Sequence, residues 1–229
     1  MIATSVRGAE PLAVSVSLGY AESLRALSHE LKLDVIPPLV AYSDDNIRAR
    51  NRMAALALRE FPKATHVLWW DDDMWPEDRH IVREMMASGE DVISAPYTNK
   101  RQPLRWTHQA LDPSPPPVDN KQEVRSVGFG FTMTTMRALR TMSADKRTLS
   151  YRDHPHEHVI PNLFGMLYDH PLAGGTGPVE ECALLSEDRS FCKRWRDMGG
   201  RVVLKMDVGA IFHAGAHAWS AREIPGALT

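Results

Sequence analysis

Residues 65–80 read THVLWWDDDMWPEDRH, an apolar run that ends on three consecutive acids and resumes with Met-Trp-Pro. After His66 the run to Trp70 has no polar residue, which predicts a strand buried on both faces, as strands of helix-covered parallel sheets are. Ligands of such sheets collect beyond the carboxyl ends of the strands, which is where Asp71, Asp72 and Asp73 fall. Side chains alternate along an extended segment, so Asp71 and Asp73 face one way and Asp72 the other. Adjacent like charges at the end of a buried strand repel and require a compensating cation. A hard divalent ion, Mg2+ or Mn2+, shared by Asp71 and Asp73 and completed by phosphates and water, meets that requirement. Capping of the next helix is the competing explanation for the triplet.

Outward from this strand, β and α patterns alternate. LAVSVSLG (12–19) reads as a strand, and AESLRALSHEL (21–31) as a helix with Leu24, Leu27 and Leu31 at helical spacing. DVIPPLVAY (34–42) is a proline-interrupted strand, and SDDNIRARNRMAALALREF (43–61) a helix opened by aspartates. After the triplet come a helix in PEDRHIVREMMASG (76–89), with Pro76 in its first turn and Gly89 as its stop, and a strand in EDVISAPY (90–97). This succession predicts an α/β fold with a mostly parallel, Rossmann-like sheet flanked by helices, in a single domain spanning 1–229. The stretch 98–122 is rich in proline and polar residues, and VRSVGFGFTMTTMRAL (124–139) turns from strand to helix. Residues 143–182 are weakly periodic, and a loop region this long predicts a binding loop or lid. SEDRSFCKRWRDMGG (186–200) and RVVLKMDVGAIFH (201–213) supply a last helix and a last strand.

Composition bounds the partners. The chain has 229 residues, 43% of them hydrophobic, enough for a real core. A net charge of −2 and a pI near 6.6 provide no general polycation for nucleic acid, so none is expected as partner. Cys182 and Cys192 are too sparse for a disulfide framework or a thiolate zinc site, and no run approaches the roughly 20 apolar residues of a membrane span. The expectation is a reduced, cytoplasmic protein without a transmembrane segment. His154, His156 and His158 alternate in a polar loop with no second ligand cluster, which reads as a solvated loop and not a zinc site.

The ordered set NIRARNRMAALAL, THVLWWDDDMWP, DVISAPYTNK, SVGFGFTMTTMRAL, LLSEDRSFCKRWRDMGGRVVLKMD and IFHAG resembles GT-A glycosyltransferases, similar to the family 2 type and to related small bacterial and viral members, from about residue 12 to 217. The resemblance implies a nucleotide-binding half over about 1–100 and an acceptor-binding half over about 101–217. It makes Asp71 to Asp73 a DXD motif, with Asp73 a direct metal ligand, Asp71 on the nucleotide ribose or a metal-bound water, and Asp72 beside the nucleotide. His213 in IFHAG matches the histidine that completes the metal shell; by itself it reads as an ordinary core or loop histidine. Asp188 matches the base of inverting members with Glu187 as its acidic neighbour, while Ser186 and these acids also make a good helix start. Arg48 and Asn51 resemble an Arg-Asn pattern near the nucleotide, with Arg50 a solvated helix position. Lys100 and Arg101 follow a strand end as contacts to donor or acceptor. Gly128 and Phe129, in GFGF, admit close backbone approach and an aromatic for a sugar pocket, or simply tight packing.

The activity implied is transfer of a sugar from a UDP- or GDP-sugar to a carbohydrate-like acceptor, dependent on Mn2+ or Mg2+. A nucleotidyltransferase on a similar sheet is the enzymatic alternative, although SLGYAESLR lacks the glycine-rich basic loop it needs. A phosphohydrolase or nuclease would carry more scattered carboxylates. A noncatalytic nucleotide-sugar or carbohydrate-binding protein is the alternative if Asp188 does not face the donor.

Overall fold

The computed structural model describes residues 2–6, 22–35, 39–42, 45–100, 102–154, 158–169, 182–214 and 218–219. The predicted buried strand is β3 (His66–Trp70). Its side chains alternate into two separate cores: Val67 and Trp69 pack in one, Leu68 and Trp70 in the other. Helices cover both, which is why no residue between Val67 and Trp70 is polar. On one side lie α2 (Asn46–Glu60), α4 (Met136–Ala144) and α5 (Glu187–Asp197), contributing Met53, Ala57, Leu139, Phe191 and Trp195. On the other lie α1 (22–29) and α3 (Ile81–Ala87), contributing Leu27, Val82 and Met85.

Around β3 the sheet has eight strands. β1 (Ile2–Val6) pairs parallel with β3 and with β2 (Leu39–Tyr42). On the other flank β8 (Phe131–Thr135) runs antiparallel to β3 and to β5 (Val92–Ser94). β13 (Val203–Lys205) is parallel to β5 and antiparallel to β7 (Lys121–Ser126), whose other neighbour is β6 (Gln109–Ala110). The order is β2-β1-β3-β8-β5-β13-β7-β6. The fold is α/β as expected, but the sheet is mixed and not mostly parallel: three of these pairings are parallel and four antiparallel. A strand buried on both faces is continuously apolar in either direction, so composition does not report that β8 enters antiparallel. One sheet also runs through both expected halves, since β8, β13 and β7 share it with β1, β3 and β5.

Two further departures shape the site. Pro76 is not in a helix; it ends β4 (Met74–Pro76), where it pairs with β14 (Ile211–Ala214). The expected last strand over 201–213 is two strands, β13 in the main sheet and β14 in a three-stranded sheet with β4 and β15 (Ala218–Trp219). This second sheet brings His213 opposite Met74, next to the acidic triplet. The strand expected at 12–19 lies outside the described residues. So do 155–157 and 170–181 of the expected lid, whose described parts form the antiparallel pairs β9 (Ser150–Tyr151) with β10 (Ile160–Pro161) and β11 (Tyr168–Asp169) with β12 (Ala183–Leu184). Among the described residues no helix is long and apolar enough to cross a membrane.

Candidate functional site

α2 starts where Asp45 accepts from the Ile47 and Arg48 N–H groups, at 2.9 and 3.4 Å. The inward face of the helix carries Met53, Ala54 and Ala57, and Arg50 lies on that stripe, four residues before Ala54 and seven before Ala57. The helix therefore carries a guanidinium into the protein, its side chain only 3% exposed. Its guanidinium lies over the rings of Phe129 and Phe164, whose centres are 5.7 and 5.9 Å from Cζ.

Three carboxylates meet this buried cation. Asp71, just beyond β3, accepts from Nη2 at 3.3 and 3.4 Å; Glu187 accepts from Nη1 at 3.2 Å; Asp188 also accepts from Nη1. Both acids of α5 come from its first turn, and Ser186 makes no side-chain cap bond. Asp188 spends its second oxygen on the Phe129 N–H, at 3.1 Å, and Glu187 accepts from Asn46 Nδ2 at 3.4 Å. Asp71 is fixed by its own N–H, which donates to the Gly130 carbonyl at 2.9 Å. All of this lies at the carboxyl end of β3, where β8 begins with Phe131 opposite Trp70.

One guanidinium does not neutralise three carboxylates, and the electrostatics follow. Burial pushes the Asp188 carboxyl up to about 7, Arg50 opposes the shift, and Glu187 and Asp71 add to it. Asp71 is raised for the same leading reason, burial, with Arg50 opposing and Asp73 adding. Burial works against charge on Arg50, but the fields of Asp188, Asp71 and Glu187 outweigh it and hold its pKa above the ordinary value. Tyr97, whose hydroxyl accepts from the Gly130 N–H at 2.9 Å, is pushed up by burial and then by Asp188 and Asp71, so it stays a neutral phenol.

Beside this centre is a second, smaller one. Asp73 pairs with Lys100 through Oδ2, while Asp73 Oδ1 is buried without a hydrogen bond and lies 3.7 Å from His213 Nε2. His213 Nδ1 is 2.8 Å from the Thr98 carbonyl, which only accepts, so the ring proton belongs on Nδ1 and the Nε2 lone pair faces Asp73. Burial lowers the His213 pKa, which keeps the ring neutral. A carboxylate oxygen and an imidazole lone pair directed at each other fit a shared Mn2+ or Mg2+. The expected set of Asp71, Asp73 and His213 is not assembled: among the described residues no three His, Cys, Asp or Glu groups converge as metal ligands, because Asp71 has turned to Arg50.

Several expected site residues do other work. Arg48 is 55% exposed and bridges to Asp153, not to the centre. Asn51 is fully buried, donating to Asn162 Oδ1 at 2.8 Å and accepting from the Phe164 N–H at 2.9 Å, a structural clamp and not a nucleotide contact. Phe129 is also fully buried, packed on Trp69, Phe164 and Phe191, so its ring is not offered to a sugar. At Gly128 a Cβ would come 2.3 Å from Tyr97 Oη; the glycines of GFGF admit Tyr97 rather than a ligand. Asp72 is half-buried, Arg101 and His156 lie outside the described residues, and His154 and His158 are exposed.

No protein-family profile matches the chain, and no curated protein matches it. Among solved structures it is similar to A197 from STIV, with a TM-score of 0.54 and 15% identity over 93% of this chain and 84% of that one. That likeness is one of fold.

Proposed function

We propose that the chain is a metal-dependent glycosyltransferase of GT-A type. It moves a sugar from a UDP- or GDP-sugar to a carbohydrate-like acceptor, with Asp188 as the base of an inverting displacement. The observation that carries this reading is the setting of Asp188. A carboxylate that merely capped α5 would turn to the N–H groups of its own helix. Asp188 instead reaches to Arg50 and the Phe129 N–H, stays 22% exposed, and has a pKa near 7, suited to taking a proton.

In this account the acceptor hydroxyl gives its proton to Asp188 as its oxygen attacks the anomeric carbon. The bond from that carbon to the diphosphate breaks and its electron pair stays on the phosphate oxygen. A single displacement of this kind inverts the anomeric centre. Arg50 is a positioning residue: it holds Asp188 and Glu187 from inside the protein. Asp73 and His213 would hold the cation. The chemistry this ion supplies when bound is neutralisation of the negative charge on the leaving diphosphate. Lys100, already against Asp73, adds a second cation on the diphosphate side.

The donor side is tested by thermal shift across nucleotides and nucleotide sugars, with and without Mn2+, on the wild type and Asp73→Asn. A donor present at about 100 times its Kd stabilises the fold by about 2.7 kcal/mol. The account predicts such a shift only with Mn2+ and only in the wild type; the same shift in Asp73→Asn removes this residue from the metal site.

A further inference from the structure

α5 has a second working face. Arg189, Lys193 and Arg196 recur at i, i+4 and i+7, a single stripe of the helix. With Arg125 of β7 they line a cleft of about 450 Å³ between the β6–β7 edge and the helix, floored by Ala183 and Leu185. Lys193 is neutralised by Asp169 at 3.7 Å and Asp197 at 3.2 Å, the two acids of the cleft. Among the described residues, the guanidiniums of Arg125, Arg189 and Arg196 have neither a carboxylate partner nor a hydrogen bond. Seven other arginines, Arg48, Arg50, Arg52, Arg59, Arg137, Arg147 and Arg201, contact acids, while Arg25, Arg79, Arg83 and Arg105 are exposed at scattered surface positions. Three guanidiniums without a carboxylate partner among the described residues, gathered around one concave surface, make a local concentration of positive charge in a chain whose net charge is −2. Helical rise places Arg189 and Arg196 about 10 Å apart along the axis, more than one phosphate covers. Arg189 is the residue after Asp188, about 100° around the helix from the candidate base.

We propose that this cleft binds phosphate groups of the acceptor, making the acceptor a phosphate-bearing saccharide rather than a neutral one. Guanidinium suits this because its donors match two phosphate oxygens at once. That the anion belongs to an acceptor rests on the glycosyltransferase reading; the binding of the anion does not.

The test separates the two. Binding of inorganic pyrophosphate and of glucose 1-phosphate is measured by calorimetry in EDTA, so that a metal-dependent donor site is silent, on the wild type, Arg189→Gln/Arg196→Gln and Asp188→Asn. The expected result is binding by the wild type and by Asp188→Asn, weakening as salt rises. The arginine variant is expected to lose about tenfold or more in affinity at an unchanged melting temperature. Glucose binds to none of them. Vesicles of phosphatidylglycerol distinguish a membrane-borne phosphate from a soluble one: retention that depends on the same arginines places the phosphate on a lipid-linked saccharide. Equal affinity of the wild type and the arginine variant, absence of binding, or a single-stranded oligonucleotide outcompeting both phosphates overturns the proposal. Arginine-dependent binding in a protein that turns over no nucleotide sugar leaves the cleft standing and removes the transferase reading. Turnover on a neutral acceptor that is indifferent to the arginine variant does the reverse.

Discussion

Arg50 and Asp188 carry the account at the scale of single residues. Partners 138 positions apart meet inside the protein, and it is removal of Arg50 that would leave uncompensated buried charge, that of Asp71, Glu187 and Asp188. Asp188 has a second consequence, for stability against pH. Its pKa rises from an ordinary carboxyl value of about 3.9 to about 7 on folding, so the folded state holds a proton that the unfolded state releases. Below about 4 both states are protonated; as pH rises through about 7 the advantage of the folded state disappears. The melting temperature of the wild type relative to Asp188→Asn is therefore predicted to fall between pH 4 and 7, and a flat difference would mean that the carboxyl is not raised. The acids were legible in the sequence because a charged triplet after a buried strand and an acidic first turn both need explaining. Arg50 was not: an arginine in a helix ordinarily faces water. The available signal was its register, on the Met53, Ala54 and Ala57 stripe rather than opposite it.

At the scale of elements, the helices and β3 follow their periodicities, whereas strand direction does not show in composition. β8 enters between β3 and β5 antiparallel to both, and its entry is built around Tyr97. The Tyr97 hydroxyl accepts from the Gly130 N–H, and Gly128 has no room for a methyl group beside it. Gly128→Ala is predicted to cost about 1–3 kcal/mol, the usual penalty of overpacking, read as a lower urea midpoint at an unchanged m-value. Unaltered stability would return GFGF to the role of ligand pocket. The same reasoning explains Phe129 and Asn51: an aromatic after glycine and an asparagine after arginine have the look of contact residues, but what they contact is the core. Only the packing partners distinguish the two uses, and those come from Phe164, Phe191 and Asn162, far along the chain.

The whole molecule gathers at the carboxyl end of β3 groups that the sequence distributes among α2, the end of β3, the segment after β5, the first turn of α5 and β14. Splitting the last expected strand into β13 and β14 is what delivers His213 to Asp73, and no local pattern announces that split. The arrangement sets Asp73 and His213, the proposed metal ligands, beside a raised carboxyl, and the central claim is that the two act on one reaction. Nucleotide release from UDP- and GDP-sugars, followed with Mn2+ and with EDTA, for the wild type and Asp188→Asn, tests it most directly. The account predicts metal-dependent release by the wild type and a loss of roughly 10²-fold or more in Asp188→Asn, with donor affinity and folding retained because asparagine fills the same space. Near-normal turnover in Asp188→Asn, release that persists in EDTA, or no release by the wild type would contradict it.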